Sequence, residues 1–257
     1  MFRPSRPVSL ALLTPLLGLQ AQTPAPALQA KPKVVLVELF TSEGCSSCPP
    51  ADALLSEINR KHSVAGQWVV GISEHVTYWN QQGWSDPFSS QLFTDRQNAY
   101  GERFALDSVY TPQMVVNGTE QLTGSDRGAL QRALQKEETQ PSPMTLSIVS
   151  AKPADGKLSV SFSATGDVPT HGVEIIAVIV DDADSTSVLR GENAGHTLTH
   201  VSVARTFSRI ATLKAPVQQT IQVPLPQAFK GTEAHHVILF AQLKGAGRVL
   251  AVDTTSI

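Results

Sequence analysis

Apolar residues recur along this 257-residue chain with two different rhythms, and the change of rhythm divides it. Val34, Val35, Leu36, Val37, Leu39 and Phe40 form a run broken only by Glu38, as in a strand covered on both faces. From Ala51 the apolar positions become Ala51, Leu54, Leu55 and Ile58, the spacing of one helix face. Pro49 and Pro50 lack N–H donors and suit a first helical turn, so the helix is expected to begin close to Ser46 and run to about Arg60. Gln67–Ser73 reads as a second buried strand, and strand–helix–strand order predicts a parallel, right-handed crossover. Asp86-Pro87 reads as the cap and first-turn proline of a helix reaching Phe104. Pro112 opens a further strand, Asn117-Gly118 turns it, and Leu122–Gly124 returns. Asp126 then caps a helix to about Glu138 that buries Leu130, Ala133 and Leu134.

Beyond Thr139-Gln140-Pro141-Ser142-Pro143, a linker by composition, the helical period disappears. Strand-like runs follow at 146–149, 158–162, 173–180, 201–203, 221–223 and 237–243, with a hairpin signal at Asp155-Gly156. This pattern predicts an α/β domain over 33–138, a linker at 139–143, and an all-β, immunoglobulin-like sandwich domain over 144–257.

The N-terminus has a different character. Arg3 and Arg6 precede an apolar stretch from Ser9 to Leu19 and then Leu19-Gln20-Ala21. This predicts a signal peptide at 1–21, followed by a flexible leader at 22–32. The expected protein is exported, periplasmic or secreted, with no membrane anchor. A net charge of −2 gives no basis for nucleic-acid binding.

The candidate chemistry sits where the first strand meets its helix. Cys45 and Cys48 are the only cysteines, and they flank Ser46-Ser47. Partial positive charge at a helix N-terminus favours the thiolate, which is the nucleophile in disulfide exchange. A redox pair is the leading reading, with Cys45 as the exposed attacking thiol and Cys48 as the shielded resolving thiol. A structural disulfide is a second reading, and copper held by both thiols and a histidine a third. No cofactor or zinc site is expected, since there is no second CxxC. Glu38, a lone carboxyl in an apolar strand, is a candidate to carry a proton for the resolving thiol. His75 ends the second strand on the edge where open α/β sheets place their sites. Trp79, with Tyr78 and Trp84, either lines a substrate groove or forms a small core beneath its loop. His196 and His200 lie four apart, but in a loop-and-strand context where that spacing is a weak metal signal.

These motifs carry a resemblance. VELF, CSSCPP and the later YTPQMVVNG look like a thioredoxin fold. The resemblance implies that Pro112 is the cis-proline facing the active cysteines, that the Thr111 backbone edge binds substrate, and that Glu38 aligns with a buried acid. FTSEGCSSCPPADALL, HVTYWNQQGWSDPF and RGENAGHTLTHVSVAR further resemble a family of exported proteins filed as a domain of unknown function. The implied activity is thiol–disulfide exchange with protein thiols or disulfides and an unidentified redox partner. The alternative is a non-catalytic binding protein that recognises a partner or holds copper.

Overall fold

The strand Val34–Thr41 (β1) sorts its side chains by alternation, and this decides which groups can reach the cysteines. Val35, Val37 and Leu39 pack against Ala51, Leu54, Leu55 and Ile58 of the helix Pro49–Lys61 (α1). Leu36 and Phe40 point to the opposite side. The structure, a computed structural model, describes Met1 and residues 33–64, 67–226, 229 and 234–257. The proposed signal peptide and leader lie outside those residues, apart from Met1.

After α1 come Ser63–Val64 (β2), Gln67–His75 (β3), the helix Gln91–Arg103 (α2), Gln113–Val116 (β4), Glu120–Thr123 (β5) and the helix Arg127–Glu138 (α3). The second half is Met144–Ala154 (β6), Lys157–Gly166 (β7), Val173–Ser187 (β8), Thr197–Ala204 (β9), Ser208–Leu213 (β10), Val217–Pro224 (β11), His235–Leu243 (β12) and Val249–Ser256 (β13). The apolar faces foreseen for α1 and α3 are the buried ones. Burying each such Leu or Ile contributes about 1.5–3 kcal/mol. The second helix begins at Gln91, later than expected, with Ser90 as its cap accepting from the Leu92 N–H. Asp86 is occupied elsewhere, as described below.

The expected fold class, an α/β thioredoxin-like domain followed by a separate immunoglobulin-like sandwich, is not what the chain forms. One mixed sheet runs through both halves in the order β13-β12-β8-β9-β3-β1-β4-β5, with β10 on β8 and β2 on β3. β1 pairs parallel with β3 and antiparallel with β4, and β3 also pairs parallel with β9. A second sheet, β11-β7-β6, packs on the C-terminal strands through Leu158, Val160, Phe162, Ile175, Ile179, Val237 and Leu239.

The cause of the merger is the length of β8. Its first eight residues are buried and pair with β12, as the apolar run at 173–180 foretold. The polar continuation Asp181–Ser187 stays extended and pairs with β9 instead. β9 then covers the edge of β3, whose unpaired backbone groups would otherwise face solvent. A second seam joins Asn117 to the β12–β13 connection: the Val249 N–H donates to the Asn117 carbonyl at 2.8 Å. Gly118 beside it has φ 64°, and a Cβ there would sit 2.3 Å from the Gly247 carbonyl oxygen. Only glycine fits that approach. Pro32–Ile257 accordingly forms one compact unit.

Candidate functional site

The chain winds into α1 through a series of short backbone bonds. The Cys45 N–H donates to the Ser42 carbonyl, the Cys48 N–H to the Cys45 carbonyl, and the Ala51 and Asp52 N–H groups to the Cys48 carbonyl. Cys45 and Cys48 are joined, with S–S 2.20 Å and Cα–Cα 5.4 Å. The helix starts at Pro49 with Cys48 as its N-cap, three residues later than the proline pair suggested. Ser46 and Ser47 are exposed, but both cysteines are fully buried. The expected contrast between an exposed Cys45 and a shielded Cys48 is absent in the disulfide form.

Two segments supply the cover. Trp79 lies on Gly44, where a Cβ would come within 3.1 Å of its own Cβ. The Trp79 indole N–H donates to Thr111 Oγ1 at 2.7 Å. Trp79 therefore links the loop before Cys45 to the residue preceding Pro112. The Thr111–Pro112 bond is cis, and the side chains of Pro112, Leu39 and Ala51 converge on Gly124. The second cover is the loop 188–196 between β8 and β9. The Asn193 side-chain amide donates to the carbonyls of Glu43 at 2.8 Å and Cys45 at 3.1 Å. The Ser46 N–H donates to Glu192 Oε2 at 3.0 Å, and these Ser46 bonds hold the Glu192 carboxyl below its usual range.

Beneath the disulfide loop lies a buried polar cluster. His75 Nδ1 is 2.7 Å from Asp86 Oδ2, and the same Asp86 oxygen accepts the Glu43 N–H at 2.8 Å. Glu43 accepts the Trp84 indole N–H at 2.7 Å and meets His200 Nε2 at 3.3 Å. Asp52 accepts the Thr41 hydroxyl at 2.9 Å and approaches His200 Nδ1 at 3.9 Å. The His75 and His200 rings meet edge to face at 4.6 Å, with Phe88 against both.

The charges inside this cluster are shifted. Burial raises the Asp52 carboxyl above its ordinary range, although His200, His75 and Thr41 oppose it. Burial alone would lower His200, but the Glu43 bond and the charges of Asp52, Glu43 and Asp86 outweigh it and raise the imidazole. For Asp86, burial pushes upward and is overcome by His75 and by two backbone N–H donors, so its carboxyl is held low.

Cys45, Cys48, Trp79, Thr111 and Pro112 are thus brought together, and His75 stands behind them through Asp86. Glu38 is not with them. Strand alternation places it on the side of Leu36 and Phe40, away from α1. There its carboxylate accepts from Arg96 Nε at 2.5 Å and the Tyr100 hydroxyl at 2.6 Å. It belongs to a buried network with Glu74 and Gln242, not to the disulfide. His196 is exposed while His200 is buried, because the pair straddles the start of β9. Among the described residues, no group of three or more His, Cys, Asp or Glu side chains is arranged to hold a metal. From the sequence, Glu43, Asp52, Asp86 and Asn193 are assigned no site role, and Asp86 is taken only as a helix cap. The one available signal was Asp52, placed four residues after Cys48 on the same helix face.

The comparisons with known proteins agree with a chain of this architecture. The chain belongs to the family described as protein of unknown function (DUF1223), whose model matches residues 36–242. It is similar to the crystal structure of protein AGR_C_4864 from Agrobacterium tumefaciens, with 26% identity over 88% of this chain and 95% of that one and a TM-score of 0.65. HBP35 of Porphyromonas gingivalis shares the fold at 13% identity, with 88% of this chain and 76% of that chain covered and a TM-score of 0.64. No curated protein matches the chain.

Proposed function

We propose that this member of the family is an exported thiol–disulfide oxidoreductase that works through Cys45 and Cys48 on protein thiols or disulfides. The observation that carries this reading is the junction at Trp79. It rests on the loop before Cys45 and hydrogen-bonds Thr111, so the disulfide and the Thr111–Pro112 edge share one wall. In that local respect the site resembles those of thioredoxin-like proteins, although the sheet carrying it is different. An extended substrate segment would lie along the Thr111 edge and present its sulfur to Cys45. Exchange further requires the loop 188–196 to move, because both cysteines are covered in the disulfide form.

That burial favours a second reading. A fully covered disulfide fastens the entry to α1, and the same surface would then bind a partner without turnover. Turnover separates the two. The reduced protein, offered a scrambled disulfide substrate, should reshuffle it catalytically. In Cys48→Ala, Cys45 should trap substrates as stable mixed disulfides, and Cys45→Ala should trap none. Absence of turnover, together with equal loss of stability in both variants, would leave the fastening role.

A further inference from the structure

Thiol–disulfide exchange moves protons as well as electrons, and the resolving thiol must lose its proton before it can attack. Glu38 points to the wrong face to receive it. The residues that bracket the cysteines point elsewhere. Glu43 stands two positions before Cys45, and Asp52 stands four positions after Cys48. Side chains at that helical spacing are neighbours, and each leans toward the helix N-terminus, so Asp52 lies over the turn begun by Cys48. The Asp52 N–H is bonded to the Cys48 carbonyl, and both residues are buried. A third residue, from the other half of the chain, joins the two acids. His200 on β9 meets Glu43 through Nε2 at 3.3 Å and Asp52 through Nδ1 at 3.9 Å. That Nδ1 is buried with no hydrogen-bond partner. Glu43 also accepts the indole N–H of the half-buried Trp84, a bond that stabilises its carboxylate.

We infer that Asp52 and His200 form a proton relay serving Cys48, an inference that rests on the exchange reading above. In the resolving step Cys45 is joined to a substrate sulfur. Cys48 gives its proton to the Asp52 carboxylate, and its sulfur attacks the sulfur of Cys45. The Cys45–Cys48 bond forms while the Cys45–substrate bond breaks, and the substrate sulfur leaves as a thiolate that takes a proton from solvent. Two electrons pass from the cysteine pair to the substrate disulfide. Asp52 passes its proton to His200 Nδ1 and on toward Glu43. A carboxyl raised by burial and an imidazole raised by acidic neighbours fit this task, since a proton carrier works best near the ambient pH. The charged and titratable groups that set the relay are Glu43 and Asp86 from the loops, His75 from β3, and Asp184 on β8, whose Cα pairs with that of His200.

A disulfide reagent with a coloured leaving thiol tests the relay on the reduced protein. The first release reports attack by Cys45, and the second reports resolution by Cys48. Asp52→Asn should leave the first release unchanged and slow the second about tenfold or more near neutral pH, with recovery as the solution becomes alkaline enough to ionise Cys48. His200→Gln should shift the midpoint of the pH profile of the second release, and Asp52→Glu should restore part of the rate. Should Asp52→Asn not fold, Thr41→Val removes only the hydroxyl bonded to Asp52 and should also shift that midpoint. A second release whose rate and pH profile survive these substitutions overturns the relay and leaves the exchange reading intact. A wild-type protein with no second release overturns both.

Discussion

Asn193 donates its side-chain amide to the Cys45 carbonyl at 3.1 Å, across a separation of 148 residues. The same amide holds the Glu43 carbonyl at 2.8 Å, so one buried side chain seats the β8–β9 loop on the disulfide. Asn193→Ala should leave the buried Glu43 carbonyl unsatisfied and the Cys45 carbonyl with only the Cys48 N–H, and cost about 1–3 kcal/mol. It should also raise the rate at which a small reductant opens the Cys45–Cys48 bond several-fold. Reduction kinetics under native conditions check this, and an unchanged rate would show that the loop does not govern access.

The continuous sheet makes a prediction about cutting the chain. A protease site introduced at 139–143 should yield two fragments that remain associated and melt together, because β3 pairs with β9 and Asn117 bonds to Val249. Residues 33–138 expressed alone should fail to give a cooperative transition. Size-exclusion chromatography and calorimetry of the cleaved protein decide the matter. A soluble, cooperatively folding 33–138 fragment would argue for two independent domains after all.

Glu38 and Arg96 form a buried pair, with side chains 0% and 8% exposed. Arg96→Met leaves an uncompensated carboxylate and should cost roughly 3–5 kcal/mol, and Glu38→Gln should cost a comparable amount. The double variant Glu38→Gln, Arg96→Met should recover part of the loss. Exchange rates should be the same in all the variants that fold, since Glu38 faces away from α1. Denaturant titration gives the stabilities, and a loss of exchange in Glu38→Gln would return that residue to the site.

The buried cluster also gives stability a pH dependence. His200 is raised above its ordinary value of 6.5, so its contribution is fully present below about 6.5 and is lost as pH rises through the folded value. Asp52, also raised, acts in the same direction from its own ordinary value of 3.8 upward. Asp86 is held low and acts oppositely: its contribution is present above 3.8 and is lost as pH falls through the folded value. The difference in melting temperature between wild type and His200→Gln should therefore narrow as pH rises above about 6.5. A gap that widens over that range would contradict the His200 assignment.

Much of the local structure was decided by the sequence alone. The apolar run at 34–40, the spacing of Ala51, Leu54, Leu55 and Ile58, and the Asn117-Gly118 turn each act over a few residues. Local periodicity and backbone preference are enough to set them, and the CxxC between strand and helix follows from the same short range. Tertiary structure alone decided the partnership between the halves and the membership of the site. The polar stretch Asp181–Ser187 has no strand signal of its own, and it becomes a strand because β9 supplies its hydrogen bonds. That pairing delivers Asn193 and His200 to the cysteines. Glu38 was misread for a related reason: its place in a buried strand is local, but which face it serves depends on where α1 and α2 pack. Contacts across some 150 residues leave no periodic trace in the chain, because they are fixed by which sheet edges and buried polar groups still lack a partner once the local elements have formed.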